Sequence, residues 1–393
     1  MSLDFQQVQQ QVHDLGAAAL TRQRLLGQRM DTASGLLQEH AQKIAELREK
    51  VQRLVQQHDP SLRCAMPVNE PLDTHHPLPA LPKQAALLAA DGSQIFMDRH
   101  AEVEYGLVNV GAIQMQLSTP QAPATFIRCQ LLYHEQLDML SEAMLALQRD
   151  LSERKYLAEL AQNAPRPLIT FTDGPMELWG ARSEGGEEAQ KFQESLEEYL
   201  GVLSALYEAG VVTAGYVDKP GADLVVRLLE VAGADGSELP NLRKARPLRG
   251  VTDRSLFRHR LAAGERSAVF AIQSQSIHKY AGPLALHFFY LNVGSSEQRA
   301  HLARVEIPAW VAGNPQQLDM LQAVLVDQCR ILGARPYPYL LHRAHETAVV
   351  TRQDHEQVTQ MIILELQRRG IAIEGQSFKQ VAKDQPGRTR YSL

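Results

Sequence analysis

The sequence PLITFTDGPMELW, residues 167–179, places an acidic residue at the end of a short apolar run. Residues 167–171 are typical of a buried strand, and Asp173-Gly174 follows them directly. AALLAADGSQIF, residues 85–96, repeats this pattern with Asp91-Gly92. The carboxyl ends of strands are where α/β sheets tend to place functional groups, although a single Asp-Gly pair is most often only a turn. The two stretches predict two strands and leave open whether the aspartates meet.

The composition is that of an ordinary globular protein. At 393 residues, with 44% hydrophobic and 22% charged residues, the chain can form one large α/β domain or two to three average domains. No apolar run reaches the length of a membrane span, and the polar start MSLDFQQVQQ is not that of a signal peptide. We therefore expect no membrane association. Three widely separated cysteines argue against a zinc ribbon or a disulfide framework and favour the cytoplasm.

Charge excludes one class of nucleic-acid-binding protein. The net charge is −5, so the chain is not a general polycation, and any nucleic-acid surface must be local. The basic stretches NLRKARPLRG (241–250) and SFKQVAKDQPGRTRYSL (377–393) are the two candidates. Basic loops are also common simply because they are well solvated.

The chain is predicted to begin with a helical arm over residues 1–58, where no proline occurs. Ile44, Leu47, Val51 and Leu54 follow an a/d spacing, which fits either a coiled coil or an amphipathic helix packed on its own domain. Residues 59–83 contain six prolines and are predicted to form an extended linker. We expect the main domain over residues 84–375 and a basic tail over 376–393.

The main domain mixes strands and helices throughout. Three apolar stretches between residues 85 and 132 predict an antiparallel meander, and a helix over about 132–163 leads to the strand that ends at Asp173. Further helices are predicted at 184–209, 221–231, 253–262, 315–332 and 353–370, with strands at 211–219, 267–274, 284–294 and 301–311. The predicted fold class is α/β, with a mixed β-sheet flanked by helices.

The helix before Asp173 supplies a third acidic residue. In LSERKYLAELAQ, Leu157 and Leu160 define the buried face, and Glu153 shares it, whereas Glu159 lies on the polar side. A buried carboxylate must be paired, protonated or bound to a metal ion, and a salt bridge is the most frequent of these. Three converging carboxylates are also the usual way to hold Mg²⁺ or Mn²⁺.

The C-terminal region adds ionisable side chains. ARPYPYLLHRAHETAVVT, residues 334–351, contains Tyr337, His342 and His345. His345 precedes an apolar pair and can serve as a nitrogen ligand or in proton transfer. The alternative is that one histidine caps a helix and the other faces solvent.

Together these stretches resemble the NurA family of prokaryotic DNA-end-processing nucleases, which have an RNase H-like core and work with a hexameric ATPase of the HerA type. The similarity runs in order over about residues 85–370. Its matched stretches are AADGS (89–93), TDGPM (172–176), GYVDKP (215–220), TDRSLF (252–257), GERSAVF (264–270), RVEIPAWV (304–311) and YPYLLHRAHETAVV (337–350). The fold that the resemblance implies is an RNase H-like mixed sheet with helices on its faces.

The resemblance implies a metal site and assigns its ligands by position. Asp91, Glu153 and Asp173 correspond to the metal-binding carboxylates, and His345 to a further ligand, for one or two Mn²⁺ or Mg²⁺ ions. Glu159 is the alternative to Glu153 at the helix position. The histidine tilts the choice of metal toward Mn²⁺.

The resemblance also implies contacts to the substrate. Tyr337 corresponds to a catalytic tyrosine that positions the scissile phosphate, and Lys219 and Arg266 correspond to basic positions near DNA phosphates. Neither the N-terminal arm nor RSEGGEEAQ, residues 182–190, matches a part of the family pattern.

The implied function is that of a metal-dependent deoxyribonuclease acting on single- and double-stranded DNA ends. It would be a 5′–3′ exonuclease, with endonuclease activity as a further option, in DNA end resection and recombinational repair. The implied state is a cytoplasmic homodimer partnered by a HerA-type ATPase. Two alternatives stay open: a non-catalytic RNase H-like scaffold that clamps DNA or docks the ATPase, and an RNA-directed nuclease.

Overall fold

The computed structural model describes residues 3–96, 103–133, 141–179, 186–296 and 299–371. The chain divides into two compact units, and both are assembled from separate pieces of sequence. Unit 1 consists of Met1–Pro82, Gly174–Met176 and Thr213–Pro338. Unit 2 consists of Lys83–Asp173, Glu177–Val212 and Tyr339–Leu393.

The described strands are β1 (Cys64–Pro67), β2 (His75–His76), β3 (Ala86–Ile95), β4 (Gly106–Gln116), β5 (Ala124–Leu132), β6 (Leu168–Asp173), β7 (Val212–Val217), β8 (Arg266–Ser267), β9 (Phe270–Gln273), β10 (Leu286–Asn292) and β11 (Leu302–Pro308). The described helices are α1 (Phe5–His40), α2 (Ile44–Gln57), α3 (Glu142–Gln162), α4 (Glu187–Glu208), α5 (Leu224–Gly233), α6 (Asp253–Phe257), α7 (Ala309–Ala312), α8 (Pro315–Ile331), α9 (Tyr339–Ala348) and α10 (Arg352–Arg368).

Unit 1 contains an antiparallel sheet in the order β1-β9-β10-β11-β7. The short strand β8 pairs with both β10 and β2. Its core is rich in aromatic residues, because the rings of Phe270 and Phe288 stack and Tyr290 meets Phe288 edge-on. All three side chains are fully buried.

The N-terminal arm is helical, as predicted, and most of its buried surface faces unit 1. Leu47, Val51 and Leu54 of α2 are buried, and α2 packs on α5 and β1. The a/d spacing of this helix therefore serves packing on its own unit. In α1 the C-terminal half is packed through Ala33 and Leu37, whereas the N-terminal half is exposed.

The predicted linker at residues 59–83 is extended, and it contributes β1 and β2 to the sheet of unit 1. The boundaries of the compact units differ from those of the domains predicted from the sequence. The reason is that contacts between distant segments join the arm and linker to residues 213–338. The functional division into arm, linker, main domain and tail stays a prediction. The tail at 376–393 lies outside the described residues.

Unit 2 contains a mixed sheet in the order β6-β3-β4-β5. Strands β3, β4 and β5 form the predicted antiparallel meander, and β6 runs parallel to β3. Helices α3 and α9 both pack on β3 and β4, and α4 packs against α3. The predicted α/β class, with a mixed sheet flanked by helices, is confirmed.

Three elements differ from their predictions. Strand β3 does not end at Asp91 but continues to Ile95, because β4 pairs with it beyond the last residue that pairs with β6. The helix predicted at 253–262 ends at Phe257, and α9 was not predicted as a helix.

Within the described ranges, every helix is too short or too polar to cross a membrane.

Candidate functional site

The register between β3 and β6 brings the two Asp-Gly stretches together. The last pair in this register joins Ala90 to Thr172, so Asp91 and Asp173 are the next residues on neighbouring parallel strands. Neighbouring strands lie about 4.8 Å apart, and residues in register point to the same face. Asp91 lies within β3, whereas Asp173 is the last residue of β6. The two aspartates therefore share one face of the unit 2 sheet.

Helix α3 places Glu153 beside Asp91. Glu153 is 4% exposed, and its Oε1 lies 3.3 Å from Nε of Arg149, one helical turn earlier. Gly92 permits this approach, because a Cβ atom at Gly92 would come within 2.6 Å of Glu153 Oε1 and 2.8 Å of Arg149 Cγ. The glycine after Asp91 therefore makes room for a carboxylate.

The glycine after Asp173, Gly174, has a different structural role from Gly92. Gly174 has φ of +82°, a left-handed conformation that glycine adopts without steric cost, and its surroundings have room for a side chain. Gly174 therefore turns the chain at the end of β6, as a turn residue would. The two similar sequence motifs thus have different structural reasons for their glycines.

The environment of Glu153 disfavours its charge. Burial raises the pKa of Glu153 to about 8; Arg154 and Arg149 lower it, whereas Asp150 and Asp91 raise it further. A carboxylate in this position gains from any cation that comes close to it. Such perturbed groups are frequent at functional sites, although structural ion pairs also produce them.

His345 of α9 completes this group of side chains. Its Nδ1 lies 2.7 Å from Oδ2 of Asp91, and its side chain is 63% exposed. The end of α9 is fixed on the sheet, because the Ala348 carbonyl accepts hydrogen bonds from Asn109 Nδ2, at 2.7 Å, and from Ser93 Oγ. His345 is therefore held at the solvent edge of the site by the packing of its helix.

Glu159, the alternative helix residue, lies elsewhere. Its carboxylate accepts a hydrogen bond of 2.6 Å from Nη2 of Arg128, and this bond lowers the pKa of Glu159. The Arg128 guanidinium also stacks 4.0 Å over the ring of Tyr156. Glu159 belongs to this exposed cluster, whereas Glu153 lies next to Asp91.

The remaining predicted residues belong to unit 1. The ring of Tyr337 meets that of Tyr216 edge-on, with centroids 5.7 Å apart. Lys219 is exposed two residues after the end of β7 and has an unusual positive φ of 45°. Its neighbour Asp218 is bonded to His301 Nε2 at 2.6 Å.

Arg266 is too deeply buried to contact DNA. It is 3% exposed, its Nη1 donates to the Ser267 carbonyl at 3.1 Å, and the same atom lies 3.6 Å from Glu70. Burial lowers the pKa of Arg266. The predicted phosphate contact by Arg266 is therefore replaced by a packing role in unit 1.

The donor types in unit 2 fit a hard divalent cation. Asp91, Glu153 and Asp173 offer carboxylate oxygens, and His345 offers an imidazole nitrogen. Among the residues that the structure describes, however, no three such side chains are grouped closely enough to hold a metal ion. Arg149 and His345 lie beside the carboxylates, so a bound cation would require these side chains to shift. The sequence offered a signal for Arg149, since it precedes Glu153 by four residues.

The family can be assigned from sequence. The NurA domain family matches residues 86–350, about two thirds of the chain. The chain belongs to the NurA family. Asp91, Glu153, Asp173 and His345 all lie within the matched region, whereas α1 and α2 precede it.

Among curated proteins, none is similar to this NurA-family chain in sequence. Solved structures resemble it at low identity, among them the following three. The NurA nuclease from Sulfolobus solfataricus is 10% identical, with 75% of this chain and 88% of that chain covered and a TM-score of 0.47. Human endonuclease V is 12% identical, with 67% and 82% covered and a TM-score of 0.33. Ciona intestinalis endonuclease V, in complex with an inosine-containing DNA, is 12% identical, with 80% and 98% covered and a TM-score of 0.29.

Proposed function

We propose that this NurA-family protein is a metal-dependent DNA nuclease whose active site is built on Asp91, Glu153 and Asp173, with His345 at its edge. The observation that carries the proposal is the placement of a buried Glu153 beside Asp91, whose Oδ2 lies 2.7 Å from Nδ1 of His345. The name of the Sulfolobus relative, a nuclease, agrees with this activity.

The three carboxylates would hold one or two divalent ions, Mn²⁺ or Mg²⁺, and His345 would favour Mn²⁺. When bound, such ions would lower the pKa of a water molecule and neutralise charge on the leaving oxygen. Asp91 orients His345 through Nδ1, which leaves Nε2 as the ring atom for a ligand or a proton. Burial raises the pKa of Glu153 to about 8, so Glu153 would release its proton when a cation binds and would then add its negative charge to the site.

For the substrate we propose single- and double-stranded DNA ends, cleaved 5′–3′ by an exonuclease with endonuclease activity as a further option. Lys219, exposed in unit 1, would neutralise a backbone phosphate, and Tyr337 would hydrogen-bond to the scissile phosphate. Phosphate contacts carry no sequence information, so cleavage should show little sequence preference and weaken with salt.

We further propose a homodimer that works with a HerA-type hexameric ATPase in DNA end resection and repair in the cytoplasm. The exposed half of α1 offers surface for protein contacts, since Phe5 is 62% and Leu15 is 72% exposed. Sedimentation of the purified chain, alone and mixed with such an ATPase, measures both associations.

Alanine substitution tests the active site directly. Asp91→Ala and Asp173→Ala should each reduce Mn²⁺-dependent degradation of DNA ends by a factor of at least about 10², because each removes a charged ligand. The melting temperature of each variant shows whether the fold is kept. Full activity in either folded variant would exclude the assignment.

The same preparation separates the alternatives. Cleavage of RNA in preference to DNA would favour an RNA-directed nuclease. DNA binding without any metal-dependent cleavage, in the parent protein as in both variants, would favour a scaffold that clamps DNA or docks the ATPase.

A further inference from the structure

A basic surface lies in unit 1, formed by the middle of α1 and the loop at residues 241–250. Arg22 and Arg29 of α1 and Arg249 of the loop line a cavity of about 220 Å³, together with Leu25, Leu26 and Gly250. No ion pair to these three arginines occurs among the residues that the structure describes. Three arginines therefore line one cavity, and within the described ranges no carboxylate pairs with them.

The loop is held in place by a buried ion pair. Glu230 of α5 accepts hydrogen bonds from Leu248 N at 3.0 Å, Arg246 Nε at 2.8 Å and Arg227 Nη1 at 2.7 Å. Arg227 in turn donates to the Leu242 carbonyl at 2.6 Å. Because Glu230 and Arg227 are both buried, they fix the loop backbone near its two ends.

This anchoring divides the basic residues of the loop into two groups. Arg246 is engaged by Glu230 and by Asp223, at 2.5 Å, and so serves the fold. Arg243, Lys244 and Arg249 are exposed. The loop thus uses one cation internally and presents three to solvent.

Helix α1 packs closely on this loop. Nη1 of Arg29 donates to the Arg249 carbonyl at 2.5 Å. Gly250 has φ of +96°, and a Cβ atom there would come within 2.9 Å of Leu26 Cδ2, so the close approach depends on glycine. Arg22 and Arg29 are seven residues apart, which places them on one face of α1 about 10.5 Å apart along its axis.

We propose that this basic surface, formed by Arg22, Arg29, Arg243, Lys244 and Arg249, binds the phosphate backbone of DNA. Guanidinium groups match the geometry of phosphate oxygens, and they are concentrated here in a chain of net charge −5. The cations are spread along a helix and a loop, which suits an extended polyanion better than a single small anion. The choice of DNA rests on the proposed nuclease function.

The test is DNA binding by the double variant Arg22→Gln/Arg249→Gln. Both side chains are exposed, and the Arg249 carbonyl that accepts from Arg29 is kept. Fluorescence anisotropy with labelled duplex and single-stranded DNA, in EDTA to prevent cleavage, should show binding about tenfold weaker than in the parent protein. The slope of log K against log salt should fall by about 2, one for each arginine that no longer neutralises a phosphate.

The matched control is Arg53→Gln/Arg368→Gln, which removes the same charge from two exposed arginines outside the cavity. It should bind DNA like the parent protein. If DNA binding were weakened equally in the two double variants, the loss would be due to net charge alone, and the proposal would be overturned. So would an unchanged salt slope in Arg22→Gln/Arg249→Gln, or a parent protein that does not bind DNA.

Two further measurements separate this proposal from its alternatives. Hydrolysis of bis(p-nitrophenyl) phosphate with Mn²⁺ should be equal in parent and double variant, because this small diester needs no extended contact. If neither the parent protein nor the double variant hydrolyses this diester or cleaves DNA, the proposed nuclease function fails. The DNA-binding measurement would still show whether the basic surface binds DNA. If the double variant no longer binds poly-L-glutamate but binds DNA like the parent protein, the surface binds an acidic protein instead, and the proposal fails.

Discussion

Glu153 is buried beside Asp91, and its pKa is raised to about 8 from an ordinary value of 4.5. Between these two pH values the folded chain keeps a proton that the unfolded chain has released. Stability in the absence of a cation must therefore fall as pH rises from about 4.5 to about 8 and level off above it. A site that would bind a cation thus carries a cost to the fold when no cation is bound.

Glu153→Gln should remove this cost, because the amide has the same shape and does not titrate. In EDTA we expect the free energy of unfolding to rise by about 1–3 kcal/mol near pH 8, with almost no gain near pH 4.5. Urea denaturation at the two pH values measures this difference. Metal-dependent cleavage should be abolished in the same variant.

Glu159→Gln is the matched control, since the same substitution on the same helix removes a bond to Arg128 instead. It should give no gain in stability and keep cleavage within about twofold. If Glu159→Gln abolished cleavage and Glu153→Gln kept it, the assignment of the helix ligand would be reversed.

For single residues, the sequence predicts burial where it follows from helical spacing, but it does not predict which distant residues a side chain contacts. The burial of Glu153 follows from its spacing to Leu157, and that spacing is visible in the sequence. The burial of Arg266 is not visible, because it depends on Glu70 and Phe289, which are distant in sequence. A basic residue in a motif therefore indicates a phosphate contact only if its environment is known.

Among the elements, the packing of α9 on β4 controls the position of His345. A Cβ atom at Gly111 of β4 would lie 2.6 Å from Ala348 N, 2.8 Å from Thr347 C and 2.9 Å from the Ala344 carbonyl oxygen. These are backbone atoms, which cannot give way as a flexible side chain can. The helix that carries His345 can therefore lie this close to the sheet only over a glycine.

Gly111→Ala should displace α9 and with it His345. We expect a decrease of about 1–3 kcal/mol in the free energy of unfolding, because of overpacking, and a drop in cleavage that exceeds the decrease in folded protein. Denaturant unfolding and Mn²⁺-dependent cleavage of the same sample measure both.

Gly201→Ala in α4 is the control, since a Cβ atom there meets no atom within 4 Å. It should stabilise the helix by about 0.5–1 kcal/mol and leave cleavage unchanged. Parental stability and activity in Gly111→Ala would show that the approach of α9 is not needed.

Helices and strands were predicted correctly where a local sequence pattern determines them. The prediction of a strand end failed where pairing with a neighbouring strand determines that end. The meander and the long helices follow from periodicity. The continuation of β3 beyond Asp91 depends on its pairing with β4, for which the apolar run alone gives no sign. Helix α9 follows Pro336 and Pro338, and these prolines obscured its start in the sequence.

At the scale of the whole molecule, α1 joins two different environments. Ala33 and Leu37 are buried in unit 1, whereas Phe5, Val12 and Leu15 are exposed on the same helix. Packing within the chain explains why the buried residues of α1 are apolar. It does not explain why the exposed residues near its N-terminus are apolar. An exposed apolar series on a helix marks a surface for protein contacts, here proposed to support self-association.

A chain that begins at Thr21 should separate folding from association. Because the side chains of residues 3–20 are exposed, the free energy of unfolding of unit 1 should change by no more than roughly 0.5 kcal/mol. Sedimentation of this shortened chain should shift from dimer toward monomer. In the full chain, Leu37→Ala should cost about 2–5 kcal/mol, because Leu37 is fully buried, whereas Leu15→Ala should cost almost nothing. Unchanged sedimentation of the shortened chain would place self-association on another surface, and a large decrease in stability would show that the first half of α1 packs in the folded protein.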